Sequence, residues 1–494
     1  MESVISFATQ TRIAGVAAAC LVLLSGCDFA PTYKKPAVET PGGYKEMTPE
    51  QLKDTDGWKT AEPRDDVLRG NWWEMFHDPE LNALEAQVAV SNQTVAAALA
   101  NFLAARAVVK QSRSQYFPTV TASPSVTRSR QSGGLAPSSA SSTSTTSTEY
   151  MLPFDASWEL DFWGRIRNSV KASSLEARAT FADLENVRLT MEAEVAVDYF
   201  QIRVLDAQKQ LLDTTVLAYR ESLKLTQAQF DAGMASDQDV AEAESQLNIT
   251  RAQATDLGIQ RALFEHAIAT LIGKPASAFS LGTNAVVAKP IAIPFGVPSQ
   301  LLERRPDVAA AERRVAEANA QIGVARAAYF PTITLTGSVG LQGSSLGTLA
   351  SGPGLAWAVG ATLAQTLFDG GRRRAVTEQA KAVYQGTVAN YRQTVLTAFQ
   401  EVEDNLSTLR ILSLELQQQN AAVQSSQRYL TLAKERCKSG IDIYLNVIAA
   451  QTALLNSQRT ALNLTMQQST ASVQLIKALG GGWDASHETA EPVP

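Results

Sequence analysis

Histidine and cysteine are scarce, with three of each in 494 residues. His77, His266 and His487 are scattered without metal-ligand spacing, so no metal site is predicted. Cys20 lies in the short apolar run near the start, Cys27 just after it and Cys437 alone far along the chain, and a disulfide framework is not expected. A glycine-rich loop ending in Lys-Ser/Thr is absent. Gly480-Gly481-Gly482 reads instead as a helix stop that repeats Gly273, not as a phosphate cradle. The net charge of -6 comes with no basic tract, which gives nucleic acid nothing to bind. Ile13 to Leu24, behind Arg12, is apolar but too short to cross a membrane as a mature helix. No carboxylate pair can be singled out as general acid and base, so the chain is expected not to be an enzyme and to hold no cofactor. Two other absences are constructive. Gly164 to Ala232 contains no proline or internal glycine, and the matching run Gly371 to Ser439 contains only Gly386.

That match is part of a repeat. Tyr116-Phe117-Pro118-Thr119 returns 213 residues later as Tyr329-Phe330-Pro331-Thr332. Leu160-Asp161-Phe162-Trp163-Gly164-Arg165 returns 207 residues later as Leu367-Phe368-Asp369-Gly370-Gly371-Arg372, and Gly233 and Gly273 return as Gly440 and Gly480. One architecture built twice is implied. The six-residue slip falls between Pro118 and Leu160, in one loop of the first copy.

The unbroken runs predict helices of nearly seventy residues, roughly 100 Å at 1.5 Å per residue. Helices of that length call for coiled-coil partners. Val402, Leu409, Leu416, Val423, Leu430 and Cys437 recur every seven residues on one seam. The first copy offers Val195, Ile202, Lys209, Val216, Leu223 and Phe230, with Lys209 the defect. The return helices carry Ala243, Thr250, Leu257, Phe264 and Leu271 against Ala450, Ser457, Leu464, Ala471 and Ala478. Cys437 is thereby expected to be a small apolar seam residue.

Gly233 and Gly440 are placed to end the long helices with positive φ. Ser236 is placed to cap the return helix, with Asp239 completing a capping box. Asp231, Asp237, Asp239, Glu242 and Glu244 crowd this turn. Two readings stand side by side: a solvated, well-capped helix start, or a ring of acids that selects what passes a constricted end.

The segments between helices alternate. Tyr150, Leu152, Phe154, Ala156, Trp158, Leu160 and Phe162 are interleaved with mainly polar residues, and Leu355, Trp357, Val359, Ala361, Leu363 and Leu367 with small or polar ones. Their partners run from Thr119 to about Arg128 and from Thr332 to about Gln342. Such strands suit a membrane β-barrel, although a soluble sheet looks alike strand by strand. Four strands cannot close a barrel, so in lipid several chains would have to share one; a trimer would supply twelve. Ser129 to Ser147 and Gly343 to Pro353 are expected to be flexible outer loops.

Leu24-Ser25-Gly26-Cys27 resembles the bacterial lipoprotein signal, which implies cleavage before Cys27 and a covalent lipid on it. A wider resemblance rests on that motif and on Trp72-Trp73, Phe76-His77-Asp78-Pro79-Glu80-Leu81, both Tyr-Phe-Pro entries and Trp158-Glu159-Leu160-Asp161-Phe162-Trp163-Gly164-Arg165. Arg304-Arg305-Pro306-Asp307-Val308 and Leu367 to Arg372 complete it. In this order they resemble the TolC-like outer-membrane efflux-channel family, in its lipoprotein branch serving resistance-nodulation-division pumps.

The resemblance implies a mainly α fold with a membrane β part. Its two structural repeats would give a long α-helical coiled-coil tunnel and four β-strands per chain, shared in a trimeric twelve-stranded barrel. Residues 1–26 would be the signal and 28–75, with 274–300, an equatorial belt. Residues 76–273 would be the first repeat, with strands at about 118–128 and 149–162. Residues 301–480 would be the second, with strands at about 331–342 and 354–368, and 481–494 a flexible tail. The implied partners are two further copies of the chain, a periplasmic adaptor, an inner-membrane transporter and outer-membrane lipid. The implied function is passive conduction of drugs or other small toxic compounds to the exterior. A duct for ATP-driven protein secretion, or for metal-ion efflux, would share the fold. By position, Leu445 matches an apolar ring at the family's periplasmic constriction. Ala449 stands where the family commonly has aspartate, and Glu242 is its first-copy equivalent. Asp237, Asp239, Glu242 and Asp442 are therefore expected to supply an acidic aperture. Gly233 and Met234, with Gly440 and Ile443, are expected to meet the adaptor.

Overall fold

The structure is a computed structural model. It describes residues 29–39, 41, 43–46, 71–131, 145–285, 305–349 and 354–481. The expected signal, the lipid site Cys27, Arg304, most of the inter-repeat stretch and the tail lie outside the described residues. In chain order come a 3-10 turn Trp72–Phe76, α1 Pro79–Ser91, α2 Gln93–Ser114, β1 Thr119–Ala122, β2 Ser125–Gln131 and β3 Thr145–Leu160. There follow α3 Arg165–Asp231, α4 Asp237–Leu271, a 3-10 turn Ala276–Ala278, α5 Pro306–Ala327 and β4 Thr332–Gly343. A single helical turn Leu346–Leu349, β5 Leu355–Ala364, α6 Arg372–Lys438 and α7 Tyr444–Ala478 complete the chain.

The repeat is kept to the residue. α3 and α6 each have 67 residues and start and end 207 apart, at 165 and 372 and at 231 and 438. α4 and α7 each have 35, at 237 and 444 and at 271 and 478. α2 and α5 each have 22 and lie 213 apart, at 93 and 306. Positive φ recurs at Gly164 and Gly371, at Gly233 and Gly440, and at Gly273 and Gly480. Gly386 lies within α6 without breaking it.

The chain forms two compact units. One comprises the start of the chain to Pro36, Leu103–Arg178 and Glu312–Ala389 and contains the sheet. All its strands pair antiparallel, in the order β1-β3-β4-β5 with β2 also on β3. β1 and β2 are one strand interrupted in place. Thr119 pairs with Ser157 and Ser125 with Met151, so six residues on one side match six on the other with no slip. The gap falls at Ser123-Pro124, beside Pro153 of β3, where the imino residues cannot donate to the ladder. The first outer loop is shorter than expected, because β2 runs to Gln131 and β3 starts at Thr145; residues 132–144 lie outside the described residues. β5 stops at Ala364, so Leu367 is not part of the alternation and stands 89% exposed beyond it. β3 likewise ends at Leu160, before Phe162.

The recurring motifs turn out to be joints. Asp161 accepts from the backbone N–H groups of Ile166 and Arg167 and so caps α3. Asp369 does the same for α6 through Gly371 and Arg373. Glu159 holds Arg165 with two bonds of 2.8 Å. The Tyr-Phe-Pro entries are pinned by side-chain donors: Trp158 Nε1 to the Tyr116 carbonyl, Trp163 Nε1 to the Pro331 carbonyl and Gln365 Nε2 to the Tyr329 carbonyl. At this foot of the sheet Phe29 stacks on Phe330 at 4.2 Å, and Phe330 on Trp163 at 5.0 Å. The chain from Phe29 then follows α5, with Arg326 donating to the Phe29 carbonyl, Asn319 to the Pro31 carbonyl and Tyr33 to Glu312. The expected belt segment 28–75 is thus split. Its described residues up to Pro36 belong to the sheet's unit, and those described from Ala37 to Met75 belong to the other.

The second unit holds most of the two helical hairpins. Between Leu409 and Cys437 the residues of α6 that avoid full exposure fall at alternating steps of three and four: Leu412, Leu416, Gln419, Val423, Ser426, Leu430 and Ala433. That is a heptad seam read from burial. Leu430 and Ala433 pack with Val447, Ala450 and Leu454 of α7, joined by Val423 and Cys437. The first copy departs from its expected seam at two places. Lys209 turns outward to pair with Asp213, and Phe230 is 43% exposed. Leu212, Tyr219 and Thr226, also seven apart, are the residues buried instead.

The remaining motifs lock the second unit. Asp78 caps α1 and accepts from the Tyr199 hydroxyl, while Glu80 pairs with the buried Arg203 of α3. Arg305 joins Asp307, Glu401 of α6 and the Ala478 carbonyl closing α7.

Candidate functional site

Both helical turns are built from the same backbone device. Gly233 donates to the Phe230 carbonyl and Met234 to Gln229, both at 2.8 Å. Gly440 donates to Cys437 and Ile441 to Arg436, both at 3.0 Å. Paired bonds of this kind around a positive-φ glycine close the last turn of a helix, and a Cβ there would be strained. Nothing lies within 4 Å of where a Cβ would stand on either glycine, so both turns present open backbone. Met234 and Ile443 flank them at 75% and 62% exposure. Side chains finish the two turns differently. Ser236 and Asp239 form the expected reciprocal box, and the bonds from Ser236 hold the Asp239 carboxyl below its ordinary value. Ile443 takes the place of Ser236, and Asp442 beside it accepts from Asn446, the Ile443 N–H and Arg436. The Asn446 bond, with Arg436 behind it, holds the Asp442 carboxyl low as well.

The expected aperture residues lie on these turns or within the first two turns of α4 and α7. Asp237 is exposed, Glu242 is half-buried, and Leu445 is 41% exposed. Asp239 and Asp442 are committed to capping and pairing, which leaves Asp237 and Glu242 as the acids with no capping duty in this set. What brings the turns together was not expected. The Tyr444 hydroxyl meets Ser222 and Thr226 of α3. Gln246 of α4 bonds both Tyr219 and Thr452, Arg459 bonds Gln253, and Asn463 bonds Gln208. The second-copy return helix is therefore tied to the first-copy hairpin largely by polar side chains, with Leu212, Ala254 and Leu455 as an apolar patch among them. Gln246 and Thr452 lie 206 apart, as do Gln253 and Arg459, so partners sit one residue from equivalence.

The sheet is the second functional surface. Register places Leu152, Leu341 and Leu355 in one rank, Phe154, Val339 and Trp357 in the next, then Ala156, Gly337 and Val359. Trp158, Leu335 and Ala361 follow, and Leu160, Ile333 and Leu363 come last. Side chains of directly opposed residues share a face, so one face is apolar across these ranks of β3, β4 and β5. Trp357 and Val359 are 74% and 80% exposed on it. The other face carries Glu149, Asp155 and Glu159 among mainly threonine, serine, glycine and alanine, with Met151, Pro153 and Gln342.

Buried acids form a third feature, one that sequence patterning does not single out. Glu85 is fully buried, and neither carboxyl oxygen has a hydrogen-bond partner. Burial, and then the charge of Glu192, push its pKa well up. Glu192, 6% exposed, accepts from Trp72 Nε1 at 3.3 Å, and burial raises it to about 7. Asp198 is also raised to about 7, by burial and then by Glu194. No cluster of three or more metal-ligating side chains exists among the described residues.

Comparison with known proteins agrees with this geometry. The outer membrane efflux protein family model matches residues 84–274 and 297–481. The toluene efflux pump outer membrane protein TtgF of Pseudomonas putida is 33% identical over 464 residues, covering 94% of this chain and 95% of the relative. The outer membrane protein OprJ of Pseudomonas aeruginosa is 32% identical over 481 residues, 95% of this chain and 96% of the relative. Among solved structures, the outer-membrane channel OprN superposes with a TM-score of 0.82 at 28% identity, over 92% of this chain and 100% of that one. Family members are channels or ducts, not enzymes. With two matched blocks spanning both repeats, an apolar sheet face and paired long helical hairpins, the chain belongs to the outer membrane efflux protein family and is an outer-membrane component of an efflux system.

Proposed function

We propose that three copies of this chain form one duct that passively conducts small toxic compounds, delivered by an inner-membrane pump and a periplasmic adaptor, across the outer membrane. The sheet is the observation that carries the reading. Its apolar face suits lipid and its polar face a wet lumen, yet it ends in two open edges, β1–β2 and β5. Open edges in lipid leave backbone groups unpaired. Strand direction alternates across the sheet, so β5 of one copy can pair antiparallel with β1–β2 of the next. Three copies of four strands, counting β1–β2 as one, would close twelve. The α3–α4 and α6–α7 hairpins would then line the periplasmic passage.

The lipid on Cys27 has local support. Two peptide links, at most about 7.6 Å, separate it from Phe29, which stacks on Phe330 at the foot of the sheet. A thioether-linked lipid there would enter the leaflet nearest the helices. The open-backbone turns at Gly233–Met234 and Gly440–Ile443 suit close approach by an adaptor. Asp237, Asp239, Glu242 and Asp442 supply the acidic aperture and Leu445 its apolar plug, and parting of the polar seam at Tyr444 opens it. Cargo of the kind named for TtgF, an apolar small molecule, fits a duct whose pump does the selecting. No group in this chain needs to react.

The test is a planar-bilayer recording of the purified protein with Glu242→Gln and Asp442→Asn combined. Cation selectivity should fall relative to wild type, and unchanged selectivity sinks the aperture assignment.

A further inference from the structure

The apolar face of the sheet carries just two charged side chains among the described strand residues, Arg128 and Arg130. Both are on β2, opposite Thr148 and Thr146, and both are exposed. The carboxylates of the strands, Glu149, Asp155 and Glu159, stand on the opposite face. Their height is what gives the arginines meaning. From Leu160 to Tyr150 β3 advances ten residues, about 33 Å at 3.3 Å per residue. Tilted by roughly 40 to 45°, that rise is about 25 Å, the apolar thickness of an outer-membrane barrel. Arg128 lies two residues past the Tyr150 rank and Arg130 four, or about 5 and 10 Å further along the same direction. Those levels lie among lipid headgroups, on the side of the hairpin tips.

We propose that Arg128 and Arg130 form a binding site for the phosphate groups of a phosphorylated glycolipid of the outer leaflet, the lipid A type. This rests on the reading that the apolar face lies in the outer membrane with the hairpin tips outward. The chemistry of the pair favours that occupant. A guanidinium fork matches two phosphate oxygens at once, and its aliphatic stem can lie along the apolar rank below it. Two such groups about 7 Å apart along one strand can engage one lipid headgroup. The Thr146 and Thr148 hydroxyls across the strand can donate to the same oxygens. A zwitterionic or phosphate-free lipid offers no equivalent gain.

The experiment uses the full-length protein in detergent, titrated with diphosphoryl lipid A and with dephosphorylated lipid A. Wild type is compared with Arg128→Gln/Arg130→Gln and with Arg128→Lys/Arg130→Lys. Headgroup attraction of this kind predicts about thirty-fold weaker binding of the diphosphoryl lipid by the double glutamine variant. The lysine variant should keep most of the affinity, and added salt should weaken wild type more than the glutamine variant. Equal affinity of wild type and the glutamine variant, or of wild type for both lipids, overturns the site. A parallel measurement in vesicles follows brominated-lipid quenching of the emission lost in Trp357→Phe. If Trp357 is not quenched, the membrane placement itself fails. If it is quenched while lipid A binding ignores the arginines, only the phosphate site fails.

Discussion

Glu192 offers the most direct test of the packing in the helical unit. Its carboxyl moves from an ordinary 4.5 to about 7, chiefly through burial. At about 1.36 kcal/mol per pKa unit, holding it ionised costs the fold about 3 kcal/mol. The direction of the pH effect follows from which state holds the proton longer. Here the folded state does, so stability is greatest below 4.5 and declines as pH rises from there through about 7. Glu192→Gln removes that decline while leaving an oxygen to accept from Trp72 Nε1. Thermal unfolding of the purified protein, followed by tryptophan emission, should show the variant a few degrees more stable than wild type at pH 8. At pH 5 the residual penalty is less than about 1 kcal/mol and the two should nearly coincide. Glu85 feels the Glu192 charge, so Glu85→Gln and Glu192→Gln should combine to less than the sum of their separate effects. A variant that gains nothing at pH 8, or gains equally at both pH values, refutes the account.

Other expectations are open to direct measurement. Gly273→Ala should cost several kcal/mol, because φ is +70° and the new Cβ would meet the Ser91 carbonyl oxygen at 2.2 Å. Gly233→Ala faces only the φ strain and should cost about 1 kcal/mol, so the ranking in thermal unfolding tests the geometry at both turns. Tyr444→Phe removes the hydroxyl that meets Ser222 and Thr226, a loss of about 1 kcal/mol from the seam between hairpins. Resting conductance in a bilayer should rise; an unchanged closed level would separate this seam from gating. Incorporation of labelled palmitate into the protein should disappear in Cys27→Ala while the chain is still exported.

The long helices were legible because proline is missing over stretches of nearly seventy residues and Gly386 is their one internal glycine, and their ends were legible because glycine marks them in both copies. Strand alternation gave the apolar face, since period two leaves no other choice once the register is fixed. The missed features share one cause. Tyr444 beside Ser222, and Glu85 within reach of the Glu192 charge, involve helices distant in sequence, and a single chain's pattern does not say which faces meet. Lys209 shows the converse. A heptad count placed it in the seam, whereas the cost of burying an ammonium turned it out to Asp213 and moved the packing to Leu212. At the turns, sequence located the acids and the Ser236–Asp239 box but not the obligation of Asp442, whose bonds to Asn446 and Arg436 depend on how the second turn folds.

The unlike finishing of the two turns gives the tips of the helical hairpins unequal sensitivity to ionic strength. The first is closed by a box whose members lie three residues apart and bond the backbone directly. The second adds to the Asn446 and Ile443 N–H bonds of Asp442 an exposed pairing with Arg436 at 3.3 Å. Mobile ions screen an exposed pair but leave a short backbone bond almost untouched. Concentrated salt should therefore slacken the Gly440 tip and spare the Gly233 tip. In an assembly of three copies, alternate tips around the ring would soften while the others held their shape.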